Sequence, residues 1–198
     1  MHADERVPEP IPARHSGGCQ NRSVERILLD GVIETDYGQF DLVWSDDYGF
    51  DGDFDRFFDN QVNGLAGAGS GQGLYINLAR RSGGSPVRIV LLQDAPAASE
   101  ADVWEDVVEV SIEIPHDAEP IWCTWAGETG GPLDIPPGSY RVRVSARGRD
   151  AGDDGEFADG PVDFYLLEIW PAPPEPDLII RSTSANARYW HREVGTRR

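Results

Sequence analysis

VVEVSIEI (107–114) decides the fold. Val108, Val110, Ile112 and Ile114 alternate with Glu109, Ser111 and Glu113, and a period of two puts every apolar side chain on one face of a strand. One buried face and one wet face are the mark of an antiparallel sheet covering a core from one side. Glu109 and Glu113, four apart on a strand, share the wet face and read as solubilising. SYRVRVSARGR (139–149) repeats the pattern, with Tyr140, Val142 and Val144 set against Arg141, Arg143 and Ser145. YGQFDLVW (37–44) repeats it again through Phe40, Leu42 and Trp44.

Outward from these, VERILL (24–29) is a short strand closed by a turn at Asp30-Gly31. LYINLAR (74–80) and PVRIVLLQD (86–94) read as antiparallel neighbours joined by a hairpin at Ser82-Gly83-Gly84-Ser85. IWCTW (121–125), LDI (133–135) and VDFYLLEIWP (162–171) complete a set of eight or nine short strands with Gly/Pro turns. That set predicts an all-β fold, an antiparallel β-sandwich with one helix at most. PAPPEP (171–176) is a stiff spacer. LIIR (178–181) follows as a last edge strand, and Ser184 is placed to N-cap a short C-terminal helix, ANARYWHRE. The expected organisation is a flexible tail at 1–22, the sandwich domain at 23–177, and a basic extension at 178–198.

Charge narrows the function. The chain carries 35 acidic and 17 basic side chains, and every basic one is arginine. Residues 30–177 hold 30 of the acids and 8 of the arginines, a net of −22, while 178–198 are net +4. A field of that sign repels nucleic acid and anionic membrane and attracts cationic partners, so a basic protein is the expected partner. Salt adaptation is the alternative source of the acidity. No apolar stretch approaches the roughly 20 residues of a membrane span, and MHADERVPEPIPARHSGG has no apolar signal core; a cytoplasmic location is expected. Cys19 and Cys123 make no disulfide framework, and Cys123, between two tryptophans, reads as a buried free thiol.

The order of elements carries a resemblance. YGQF (37–40), the Gly/Ala-rich bend feeding a strand in GLAGAGSGQGLYINLA (64–79), the long strand VEVSIEI, and LDIPPGSYRVRV (133–144) together resemble the competence protein J family. The resemblance spans about residues 36–171. It implies a small acidic β protein that inhibits a nuclease, an immunity-like role exerted through a protein–protein interface. The N-terminal tail, the acidic loop at 150–160 and the PAPPEP-plus-helix terminus depart from the family pattern, so no contact residue is carried over.

Two acidic loops are the candidate partner-binding surface. The first contributes Asp46, Asp47, Tyr48, Asp51, Asp53, Asp55 and Asp59, interleaved with Phe50, Phe54, Phe57 and Phe58; the second contributes Asp150, Asp153, Asp154, Glu156 and Asp159. Carboxylates so spaced can stand in for phosphates before a basic cleft, with aromatics as hot spots. A solvated first loop whose aromatics pack on the core is the plainer reading, and Gly152, Gly155 and Gly160 make the second loop mobile. Asp51-x-Asp53-x-Asp55 invites calcium, but Arg56 and Val62 occupy the positions where an EF-hand needs glycine and glutamate; a looser calcium- or ligand-binding module is the alternative. The glycine run at 64–73 leads into a strand and matches no phosphate cradle. The four histidines form no catalytic motif, so no enzyme, cofactor or metal is expected.

Overall fold

The computed structural model describes residues 25–49, 54–97 and 103–196. They form eleven strands in two sheets. The larger sheet runs in the order β1 (Arg26–Asp36), β5 (Ser82–Leu91), β10 (Phe164–Pro171), β9 (Gly138–Arg147), β6 (Asp106–Ile114) and β11 (Leu178–Ser182). Its one parallel pairing is β5 with β10. The smaller sheet is antiparallel: β3 (Ala66–Gly67), β4 (Gly73–Asn77), β2 (Gln39–Val43), β7 (Ile121–Thr124) and β8 (Gly130–Pro132).

The alternating residues do what their spacing requires. Val108, Val110, Ile112 and Ile114 of the larger sheet lie in one buried cluster with Phe40, Leu42, Leu74 and Ile76 of the smaller one. Burial of this apolar surface, at roughly 25 cal/mol per Å², is the main driving term of the fold.

The strand count exceeds the eight or nine expected because β3 and β8 are two- and three-residue pieces within glycine-rich runs, where no period can be read. Asp30-Gly31 is no turn: β1 passes straight through it, with Gly31 opposite Val87. Nor is Ser82–Ser85 a hairpin. β4 ends at Asn77 in the smaller sheet and β5 starts at Ser82 in the larger, so the chain changes sheets between them. It changes sheets a second time at Tyr37-Gly38, and the two passages are zipped together. Gly38 N donates to Arg81 O (3.0 Å) and Leu78 N to Gly38 O (2.8 Å). Gly38 has φ +65, and a Cβ there would meet Leu78 O at 2.6 Å, so only glycine fits this corner. LDI (133–135) is not a strand, although Leu133 and Ile135 are buried.

The face of β6 and β9 opposite the core is drier than its composition suggested. Arg143 Nη2 lies 2.8 Å and Arg141 Nη2 3.2 Å from the Glu109 carboxylate, with both arginines buried. Arg141 also donates to the carbonyls of Glu175 and Pro176, so the proline-rich segment covers this network. Glu109 is a partner in a buried ion cluster rather than a solubilising group.

Two α-helices occur among the described residues: α1 (Arg149–Asp154), inside the second acidic loop, and α2 (Ala185–Glu193). Ser184 caps α2 as its sequence suggested, accepting from Ala187 N (3.0 Å) and donating to the buried Asp106 carboxylate (2.6 Å).

Candidate interaction groove

α1 is a helix its sequence does not favour, with Gly152 at its centre. Tertiary contacts hold it. Gly148 precedes it at φ +74, and a Cβ on Gly152 would sit 2.9 Å from the Asp163 carboxyl. Arg149, only 1% exposed, donates from Nη1 to Asn77 O (2.7 Å) and from Nη2 to Asn186 Oδ1 (2.6 Å). Asp150 meanwhile accepts from Ala185 N (3.0 Å) and Asn186 N (2.8 Å), the free donors at the start of α2. Those backbone donors hold its carboxyl below the usual range. Neighbouring residues of α1 therefore tie it to α2 and to β4.

Between these elements lies a groove of about 920 Å³. Asp150, Asp153 and Asp154 line it from α1, and Tyr189 and Trp190 from α2. Phe54, Tyr75 and Tyr37 contribute further rings. Phe54 packs edge-on to Tyr75 at 4.9 Å and stacked on Trp190 at 6.1 Å, so much of the aromatic lining is one interlocked set. Tyr37 stands apart: it is 61% exposed, leans on Trp125 at 4.9 Å, and has φ +58. A second pocket of about 310 Å³, lined by Asp36, Tyr37, Arg81, Ser82 and Glu156, shares Tyr37 and Arg81 with the first.

The second acidic loop is held, not slack. Arg80 is almost wholly buried and turns its guanidinium onto the carbonyls of Ala158 (2.5 Å), Gly160 (2.9 Å), Gly84 (3.1 Å) and Glu156 (3.4 Å). Beneath it the buried Asp163 accepts from Ser85 Oγ (2.6 Å) and Tyr165 OH (2.7 Å). Phe157, between two clamped carbonyls, projects into solvent.

The first loop is divided. Phe57 and Phe58 are fully buried against Tyr75 and Val194, which matches the plainer reading of that loop. Tyr48, half-buried, donates its hydroxyl to Asp41 (2.7 Å). Asp41 is buried on the sheet face opposite the main core, and desolvation pushes its carboxyl up to about 6. Cys123 is half-buried; burial and the nearby Asp41 push its thiol up to about 11, so it is held protonated. Asp46, Asp47, Asp55 and Asp59 are exposed and do not line the groove. Asp51 and Asp53 lie outside the described residues. Among the described residues no group of three or more His, Cys, Asp or Glu could hold a metal ion, and no helix is long and apolar enough to cross a membrane.

Asp153 and Asp154 thus share a groove with Phe54 of the first loop, Glu156 lines the adjoining pocket, and Asp159 lines neither. Sequence reasoning missed Tyr37, Phe157, Tyr189 and Trp190. The signal for Tyr37 was the Gly after it, a turn pair that places its ring outward.

No family model matches the chain, and no curated protein does. Two solved structures are similar to it. One is ComJ from Bacillus subtilis, an inhibitor of the DNA degrading activity of NucA, at 13% identity over 76% of this chain and 100% of that one, with a TM-score of 0.49. The other is the product of crocagin biosynthetic gene J, at 15% identity over 76% and 99%, with a TM-score of 0.46. These figures describe a distant likeness in fold.

Proposed function

We propose that this chain binds a basic protein and neutralises it by filling its nucleic-acid cleft, a nuclease or a similar toxin-like enzyme being the partner class. One observation carries the reading: the α1 carboxylates Asp153 and Asp154 meet the exposed rings of Tyr37 and Tyr189 on a single groove. The carboxylates occupy places a phosphate would take in the partner, and the rings supply apolar contact. Phe157, exposed on the clamped loop next in the chain to Glu156 of the adjoining pocket, is a further anchor. Asp46, Asp47, Asp55, Asp59 and Asp159 add to the field that steers a cationic partner inward. The nuclease itself is suggested by the resemblance of YGQF and LDIPPGSYRVRV to the competence protein J family.

Titration into an assay of a basic, sugar-nonspecific nuclease at low and at molar salt tests this reading. Inhibition at low salt, weaker at high salt and lost in Asp153→Arg/Asp154→Arg, is the expected result. No inhibition at either salt removes the proposal.

A further inference from the structure

We infer that the groove receives the guanidinium of an arginine on an extended basic segment, in preference to a lysine ammonium. The inference deepens the docking reading above and rests on it. Asp150 is already committed to the backbone of α2, so the charge free to meet a ligand is that of Asp153 and Asp154. Among the described residues Arg81 is the one cation in the lining. The remaining lining is rich in flat rings, of which Tyr37 and Tyr189 are 61% and 48% exposed. A guanidinium is planar, weakly hydrated, stacks on rings and forks onto carboxylates, whereas an ammonium is a compact, strongly hydrated point charge. A site that offers rings and carboxylates together therefore rewards the guanidinium twice. The fold itself sets a guanidinium on one of these rings: Arg192, outside the lining, lies 5.6 Å from the Tyr189 ring centroid. A groove of about 920 Å³ also exceeds one side chain and sits near the top of the ~300–1,000 Å³ range of small-ligand sites, which suits a length of chain with an arginine turned inward.

The test uses two labelled peptides, glycine alternating with arginine and glycine alternating with lysine, and reads fluorescence anisotropy. The arginine peptide is expected to bind about tenfold more tightly. Asp153→Asn/Asp154→Asn should weaken it far more than Asp117→Asn/Glu119→Gln, which removes the same charge from exposed positions outside the lining. Tyr189→Ser should erase the preference for arginine while leaving residual salt-sensitive binding. Equal affinity for the two peptides, or equal loss from the two double variants, would mean attraction by overall charge alone and would overturn the inference. A nuclease that is inhibited without any arginine preference keeps the docking reading and sinks this one. Arginine preference without nuclease inhibition does the reverse.

Discussion

Arg80 and Phe157 stand at opposite extremes of exposure, 4% and 91%, and the first fixes the backbone that presents the second. Burying a guanidinium is costly unless its donors are satisfied. Here four carbonyls take up Nη1 and Nη2, leaving only the buried Nε without a partner, and three of the four belong to the segment from Glu156 to Gly160. Replacing Arg80 with leucine strands those carbonyls. It should cost about 3 kcal/mol in urea unfolding and speed amide exchange at 156–160. Exchange that stays slow would show that Gly155 and Gly160 hold the loop unaided.

Phe157→Ser separates stability from binding. The ring contributes little to the fold at its exposure, so the change should leave stability within about 0.5 kcal/mol. If the ring is an anchor, partner affinity should fall by about 2 kcal/mol, measured by calorimetry against the inhibited nuclease. An unchanged affinity would make Phe157 a bystander.

Tyr37 is held in left-handed backbone, which costs a non-glycine residue roughly 1–2 kcal/mol. Its contact with Trp125 returns part of that, about 0.5–1 kcal/mol for a half-exposed pair. Tyr37→Asn accepts the same backbone more readily and should raise the melting temperature by a few degrees while lowering groove affinity. A fall in melting temperature would show that the ring contact outweighs the strain.

Two buried groups pull the pH dependence of stability in opposite directions. The Asp41 carboxyl is raised from 3.8 to about 6 by desolvation, so its contribution is fullest below pH 3.8 and is lost as pH rises through 6. His191 is lowered from 6.5 to about 4, chiefly by desolvation and then by Arg149. Its contribution is present above pH 6.5 and is lost as pH falls toward 4. Asp41→Asn, which keeps an acceptor for Tyr48, should therefore stabilise the fold at neutral pH, by up to about 3 kcal/mol, and by nothing near pH 3.5. His191→Asn keeps an acceptor for Gly64 N, which now donates to Nδ1 at 3.0 Å, and should flatten the loss between pH 6.5 and 4. Urea midpoints across that range give both signs.

Glu109→Ala leaves Arg141 and Arg143 buried without their carboxylate. Breaking such a cluster from one side should cost about 3–5 kcal/mol, read as a lower urea midpoint.

The strands at 107–114 and 139–147 were legible because every second residue obeys one rule, and α2 because Ser184 announces its start. The sheet change at Gly38 was hidden, since it is made by hydrogen bonds to Leu78 and Arg81, some forty residues away in the chain. Sequence spacing carries no trace of such a bond. Arg80 and Arg149 look like surface residues by type, and only the fold shows that the first is spent on backbone carbonyls and the second on the Asn77 carbonyl and the Asn186 side-chain amide. The loop that holds α1 was read as slack because its glycines and aspartates favour coil; the packing of Gly152 on Asp163 and the burial of Arg149 override that preference. The aromatics of the first loop carried no period, so nothing local separated buried Phe57 from half-exposed Phe54.

Asp150 and Arg149 fasten α1 to α2, and Phe54 stacks on Trp190 across the lining, so among the described residues the walls of the groove are tied to one another. A ligand meets a cleft of preset width, and little ordering of this chain remains to be done at the moment of contact. If the groove takes basic ligands as proposed, selection among them falls to fit, and related ligands should differ far more in how slowly they leave than in how quickly they arrive.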